Sequence, residues 1–154
     1  MNIKAGVCVC IFIFTFITPS VHAQNVEGSE EQELEYLELI MNILRHHLEA
    51  IELLTKKESK YYDNIVNHAS ALWHTSNLLD HIYPDKDQVN DREWPWADKQ
   101  EFDERVMANR TATKNLRKAA KVWLKDRDQE KLLASLEELK KSCRSCHKSL
   151  RDWP

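Results

Sequence analysis

The sequence predicts an all-α fold, an antiparallel up-down four-helix bundle. Three observations carry this expectation. Glycine is almost absent: Gly6 lies in an apolar leader, and Gly28 stands just ahead of the first periodic segment. Beyond the leader, proline occurs only at Pro84, Pro95 and Pro154, so long stretches run without a helix breaker. Those stretches carry apolar residues at three- and four-residue steps, charged residues make up 31% of the chain, and no β-branched alternating run interrupts the pattern.

The N-terminus reads as an address. Met1 to Lys4 is a short positive segment, Ala5 to Ile17 an apolar run, and Thr18-Pro19-Ser20-Val21-His22-Ala23 a helix-breaking end. These are the three regions of a secretory signal. Cleavage is predicted before Gln24, dividing the chain into a signal peptide over 1–23 and one domain over 24–154. The apolar run is short for a membrane span and has no stop-transfer flank, so no span is expected after cleavage; a retained anchor is the competing reading. Cys8 and Cys10 leave with the signal, and the domain keeps only Cys143 and Cys146. An exported domain with so few cysteines depends on a proper core, a metal or a cofactor. The formal net charge of −3, more negative still without Lys4, argues against nucleic acid as a partner.

The first helix is expected to start near Ser29, where Ser-Glu-Glu-Gln forms a capping box, and to end near Lys56. Leu37, Met41, Leu44 and Leu48 share one stripe; Ile40, Ile43, Ile51 and Leu54 widen it into a buried face. The second helix covers about Glu58 to Ile82, with Tyr62, Ile65, Ala69, Leu72, Trp73, Leu79 and Ile82 at core spacing. Pro84 and a polar run end it, and the long connection closes in Trp94-Pro95-Trp96. The third helix begins near Asp98, a suitable N-cap, and carries Phe102, Val106, Asn109, Ala112, Leu116, Ala119 and Trp123. After a tight turn at Lys125-Asp126-Arg127, the fourth starts around Asp128. Its apolar stripe runs through Leu132, Leu136 and Leu139 into Cys143, Cys146, His147 and Leu150. Short first-to-second and third-to-fourth turns make the antiparallel bundle.

Cys143-Arg144-Ser145-Cys146-His147 is C-x-x-C-H, the signature of c-type haem attachment. Thiols three residues apart on a helix share a face, so both reach the vinyl groups on one porphyrin edge. His147 then offers an imidazole nitrogen to the iron. A zinc site fails on ligand count, because the domain has no second cysteine pair and no following histidine pair. A redox dithiol expects a βαβ neighbourhood, and this region reads as helix. One covalently attached haem c per chain is therefore the expected cofactor. Export together with covalent haem points to the periplasm of a Gram-negative bacterium.

Attachment on the last helix of a bundle, rather than near the N-terminus, is where a resemblance becomes specific. Over roughly Glu35 to Arg151 the chain resembles the class II cytochromes c, the cytochrome c-prime family. That family's first helix carries Tyr-Arg-x-x-x-(Met or Leu), its last residue above the iron; Tyr36-Leu37-Glu38-Leu39-Ile40-Met41 fills that frame. A Trp six residues before a Phe opens the family's third helix, matched by Trp96 and Phe102, and a basic residue four past the histidine is matched by Arg151. Leu37 departs from the pattern: it replaces an arginine expected to pair with a haem propionate, and what compensates is open. The loop before the third helix also looks shorter than in typical members.

The resemblance implies a haem pocket to which Tyr36, Leu37, Leu44, Trp96, Phe102 and Arg151 contribute. For Tyr36 and Trp96 the alternative is plain packing, and for Arg151 an exposed terminal charge. Met41 is the expected sixth ligand of the iron, against the alternative of a core filler over an open site. His46 and His47 point away from the Met41 direction. His68, His74 and His81 fall close to one face of the second helix, a weak metal patch or a set of ordinary surface residues.

Two functions follow. With Met41 and His147 on opposite faces of the iron, the protein carries single electrons between periplasmic redox partner proteins and is not an enzyme. With an open distal face it binds small gases such as NO or CO. The resemblance also implies a homodimer through the first two helices.

Overall fold

The computed structural model describes residues 30–56, 59–83 and 99–149. Four α-helices follow one another: α1 over Glu30–Lys56, α2 over Asn64–Ser76, α3 over Lys99–Asp126 and α4 over Gln129–Lys148, with a 3-10 turn at Asn77–His81 extending α2. No strand occurs among the described residues. Sequential neighbours pack most closely, α1 on α2, α2 on α3 and α3 on α4, as an up-down bundle requires. The signal segment, the Ser29 and Asp98 caps, and Trp94 to Trp96 lie outside the described residues, as do Pro84, Leu150 and Arg151.

The second helix differs most from expectation. Residues 59–63 form overlapping turns instead of helix: Ser59 O accepts from Tyr62 N at 3.2 Å and Tyr61 O from Asn64 N at 2.9 Å. Ser59 Oγ also accepts from Tyr61 N, an alternative to the helical ladder that serine side chains readily offer. At the other end the buried Ser76 hydroxyl bonds back to Trp73 O at 2.8 Å, and the chain tightens into 3-10 geometry from Asn77. Tyr62 consequently stands at the surface instead of in the core.

The turn into α4 is built without glycine. Arg127 adopts φ 60° and donates its N–H to Trp123 O at 2.9 Å, closing the end of α3. The left-handed conformation costs a side-chain-bearing residue about 1–2 kcal/mol. Its guanidinium stacks on Tyr62 at 4.1 Å and on Trp123 at 4.8 Å, contacts that offset the cost. Asp128 then caps α4, accepting from Lys131 N at 3.2 Å.

Two apolar clusters make the core. The larger joins Ile51, Ile65, Ala69, Leu72, Leu116, Ala120, Leu132, Leu136 and Leu139. The smaller joins Leu37, Ile40, Leu79, Phe102 and Val106. On α3 the buried stripe is Phe102, Val106, Asn109, Thr113, Leu116 and Ala120, so Thr113 and Ala120 take the places expected for Ala112 and Ala119, which are half-buried. Thr113 is tolerated because its hydroxyl lies 3.0 Å from that of Ser76 and donates to Arg110 O. Ile43 of α1, expected inside, is exposed. Leu116→Ala, in the middle of the larger cluster, is expected to cost about 2–5 kcal/mol; chemical denaturation of the holo-protein would measure it.

Candidate haem site

Leu44 of α1 packs against both clusters. Between them lies a chamber of about 550 Å³, within the range of cofactor sites. Leu72 and Leu139 of the larger cluster bound it on one side, and Leu79, Phe102 and Val106 of the smaller on the other. Its remaining walls are α1, with Met41, Leu44 and Leu48, and the last turns of α4, with Cys143, Cys146 and His147.

The attachment segment is fixed from α3. Asn109 Nδ2 donates to Ser142 Oγ at 3.2 Å and approaches Cys143 Sγ at 3.8 Å. Arg105 donates to Ser145 Oγ, between the two cysteines, and to Glu101 Oε1 at 3.3 Å. Two side chains of one helix thus clamp the register of the C-x-x-C turn on its neighbour. Burial pushes the Cys143 thiol upward, and burial with the neighbouring Cys143 pushes Cys146 up to about 11.

The residues suit a covalent haem. Both thiols are free and border the same apolar space, three residues apart on one helix face. Asn109 Oδ1 is buried with no hydrogen-bond partner, an acceptor that the folded chain leaves unused at this wall. Two guanidinium groups, Arg45 and Arg105, stand on the wall, suited to the haem carboxylates.

Not every expected pocket residue reaches the chamber. Met41, Leu44, Phe102, Cys143, Cys146 and His147 line it. Tyr36 does not: it is 49% exposed, because five residues rotate it by about 140° from Met41 around α1. Leu37 sits behind the wall in the smaller cluster. Trp96 and Arg151 lie outside the described residues. The expected histidine patch on α2 does not assemble: His74 and His81 are exposed, whereas His68 meets His47 of α1. Asn109, expected on the stripe of the third helix, lines the chamber as well; wall residues that the apolar pattern did not single out are Glu38, Asn42, Arg45, Arg105 and Thr113. Only their positions one step from the apolar series signalled them.

A helical bundle that holds an apolar chamber against C-x-x-C-H defines a c-type haem protein. The sequence model of the family Cytochrome C' matches residues 32–151, and the chain belongs to that family, whose members carry one covalently bound haem c per chain. Its fold is similar to cytochrome c prime from Alcaligenes xylosoxidans. A ferrous variant of that protein with bound NO aligns at TM-score 0.68 and 18% identity, covering 82% of this chain and 98% of that one. A second variant, a nitric oxide complex, aligns at TM-score 0.69 and 20% identity with the same coverage. A further structure, described as cytochrome c', aligns at 0.68 and 20%, covering 81% and 98%. No curated protein matches in a sequence comparison. No described helix is long and apolar enough to cross a membrane.

In protein produced without haem attachment, iodoacetamide should alkylate Cys146 slowly at neutral pH. Its rate should rise near pH 11 instead of near the ordinary thiol value of 9.0, because only the thiolate reacts. Mass spectrometry of the alkylated peptide against pH measures this.

Proposed function

We propose that the protein carries single electrons in a bacterial periplasm, with Cys143 and Cys146 holding the haem, His147 as its proximal ligand and Met41 as its distal ligand. The haem supplies the Fe(III)/Fe(II) couple. The observation that carries the reading is Met41: it lies on the chamber wall of α1, and it and Cys146 of α4 both pack against the smaller apolar cluster. A thioether at that position stabilises the reduced state and raises the potential. The apolar lining keeps water from the iron's surroundings. Arg45 and Arg105 stand in for the arginine that Leu37 replaces, offering charge to the haem carboxylates. Electron carriage requires no bound substrate, so the role proposed is that of a carrier and not of an enzyme. Export of residues 24–154 after removal of the leader belongs to the same proposal and accords with a family that is typically periplasmic.

Replacing Met41 with Ala should turn the reduced spectrum from sharp α and β bands to one broad band. It should also lower the potential by on the order of 0.1 V, part of the roughly 0.8 V range that axial ligands command. Identical spectra for the two proteins would remove Met41 from the ligand set.

A second reading has its own support. The similar Alcaligenes xylosoxidans structures include nitric oxide complexes, and a chamber with this lining favours a neutral diatomic. Under it Met41 packs beside an open iron. Rapid CO binding by the reduced wild-type protein, with a broad band already present, decides for this reading.

Association of two copies through α1 and α2 is also proposed. Tyr36, Leu39, Ile43 and Leu53 leave an apolar stripe exposed along α1, with Leu39 at 54% and Leu53 at 62%. The double change Leu39→Glu with Ile43→Glu should shift the mass in sedimentation equilibrium from dimer to monomer. A wild-type protein that is monomeric at tens of micromolar would refute the association.

A further inference from the structure

We propose that His47 of α1 and His68 of α2 form a two-nitrogen site for a divalent transition-metal ion of tetragonal preference, Cu(II) or Ni(II), separate from the haem chamber. Neither side chain lines that chamber. Their Nδ1 atoms face each other at 2.9 Å across the α1–α2 interface, with ring centroids 5.2 Å apart and ring planes tilted by 51°.

The spacing selects the kind of ion. With metal–nitrogen bonds of about 2.0–2.1 Å, two nitrogens at this separation subtend about 90° at the metal. That is the cis angle of a tetragonal centre; a tetrahedral ion would need them about 3.3 Å apart. Imidazole suits copper and nickel, and Cu(II) heads the affinity order of the divalent series. Water fills the other positions, since among the described residues no three His, Cys, Asp or Glu side chains converge on one point.

The pair is held on rigid elements. Ile51 of α1 meets Ile65 and Ala69 of α2 in the larger cluster, within four residues of each histidine. Burial of His47, with His68 and His46 nearby, holds its pKa below the ordinary histidine value. In the metal-free pair one Nδ1–H donates to the other Nδ1. Binding requires both rings as Nε2–H tautomers, the donor ring's proton passing from Nδ1 to Nε2 through water, so no net proton is released.

A plain N–H···N bond has the same spacing, and titration separates the two. Ferric holo-protein should take up one equivalent of copper(II) sulfate and show nitrogen hyperfine structure from two imidazoles in its copper EPR spectrum. His47→Gln and His68→Gln should each weaken that binding by about tenfold or more, while His46→Gln and His74→Gln change it less than twofold. Copper should raise the melting temperature of the wild type and of neither weakened variant. Unchanged affinity in His47→Gln, or a one-nitrogen spectrum, would assign the copper to exposed histidines and overturn the proposal. Should either variant fail to fold, diethyl pyrocarbonate labelling of wild-type protein decides. Copper must then protect His47 and His68, and equal labelling with and without copper overturns the site.

Discussion

The bundle depends on a gap that its own side chains do not fill. Ile51, Leu132 and Leu136 close one end between α1 and α4, reinforced by the Lys140–Glu52 ion pair at 3.0 Å. Towards the other end α1 and α4 face each other across about 550 Å³ of largely apolar space. Apolar side chains that line an unfilled space forgo the contacts a packed core would give them. The covalent haem that members of this family carry would supply those contacts, and covalent attachment makes the occupancy permanent. The covalent link is as much a structural device as a redox one.

Much of this was legible in the residues. The C-x-x-C-H motif names its cofactor by chemistry alone, and the 3.6-residue stripe of α4 places both thiols on the inward face. The fourfold helix pattern was legible for the same reason: with almost no glycine and few prolines, little competes with the helix. What escaped is also physical. Side-chain-to-backbone bonds from Ser59 and Ser76 shortened and tightened the second helix, and such local competition leaves no mark on apolar periodicity. Thr113 took the core place expected for Ala112 because its hydroxyl donates to Arg110 O of its own helix and lies 3.0 Å from the hydroxyl of Ser76, 37 positions away. The polar wall residues were hidden for a related reason. Arg105 looks like a solvated charge until Ser145 of a different helix is brought to it.

The polar groups of the chamber divide between its walls. Asn109 and Arg105 reach α4 from α3, and their hydrogen bonds to Ser142 and Ser145 orient the segment that carries the attachment cysteines. Arg45 belongs to α1 and is engaged by Glu49 and Asn42 on its own helix. The charged groups of the chamber wall are thus tied to the scaffold by bonds within the chain, and beside a haem they would lower the reorganisation that a change of iron charge demands. Leucine at position 37 fits the same logic: it is buried in an apolar cluster, where an unpaired charge would be costly, and the wall cations stand elsewhere, Arg45 about two turns further along α1 and Arg105 on α3.

Opposite walls of the chamber belong to different halves of the bundle. The α3–α4 half fixes the cysteine side, and the α1–α2 half, joined by apolar packing and the His47–His68 contact, carries Met41. At the far end Ile51 of α1 shares the larger apolar cluster with Leu132 and Leu136 of α4, which ties the two halves together there. Under the proposed function, Met41 would meet the iron only if the two helix pairs hold these walls at the right separation, a quantity that apolar periodicity and motif spacing do not encode.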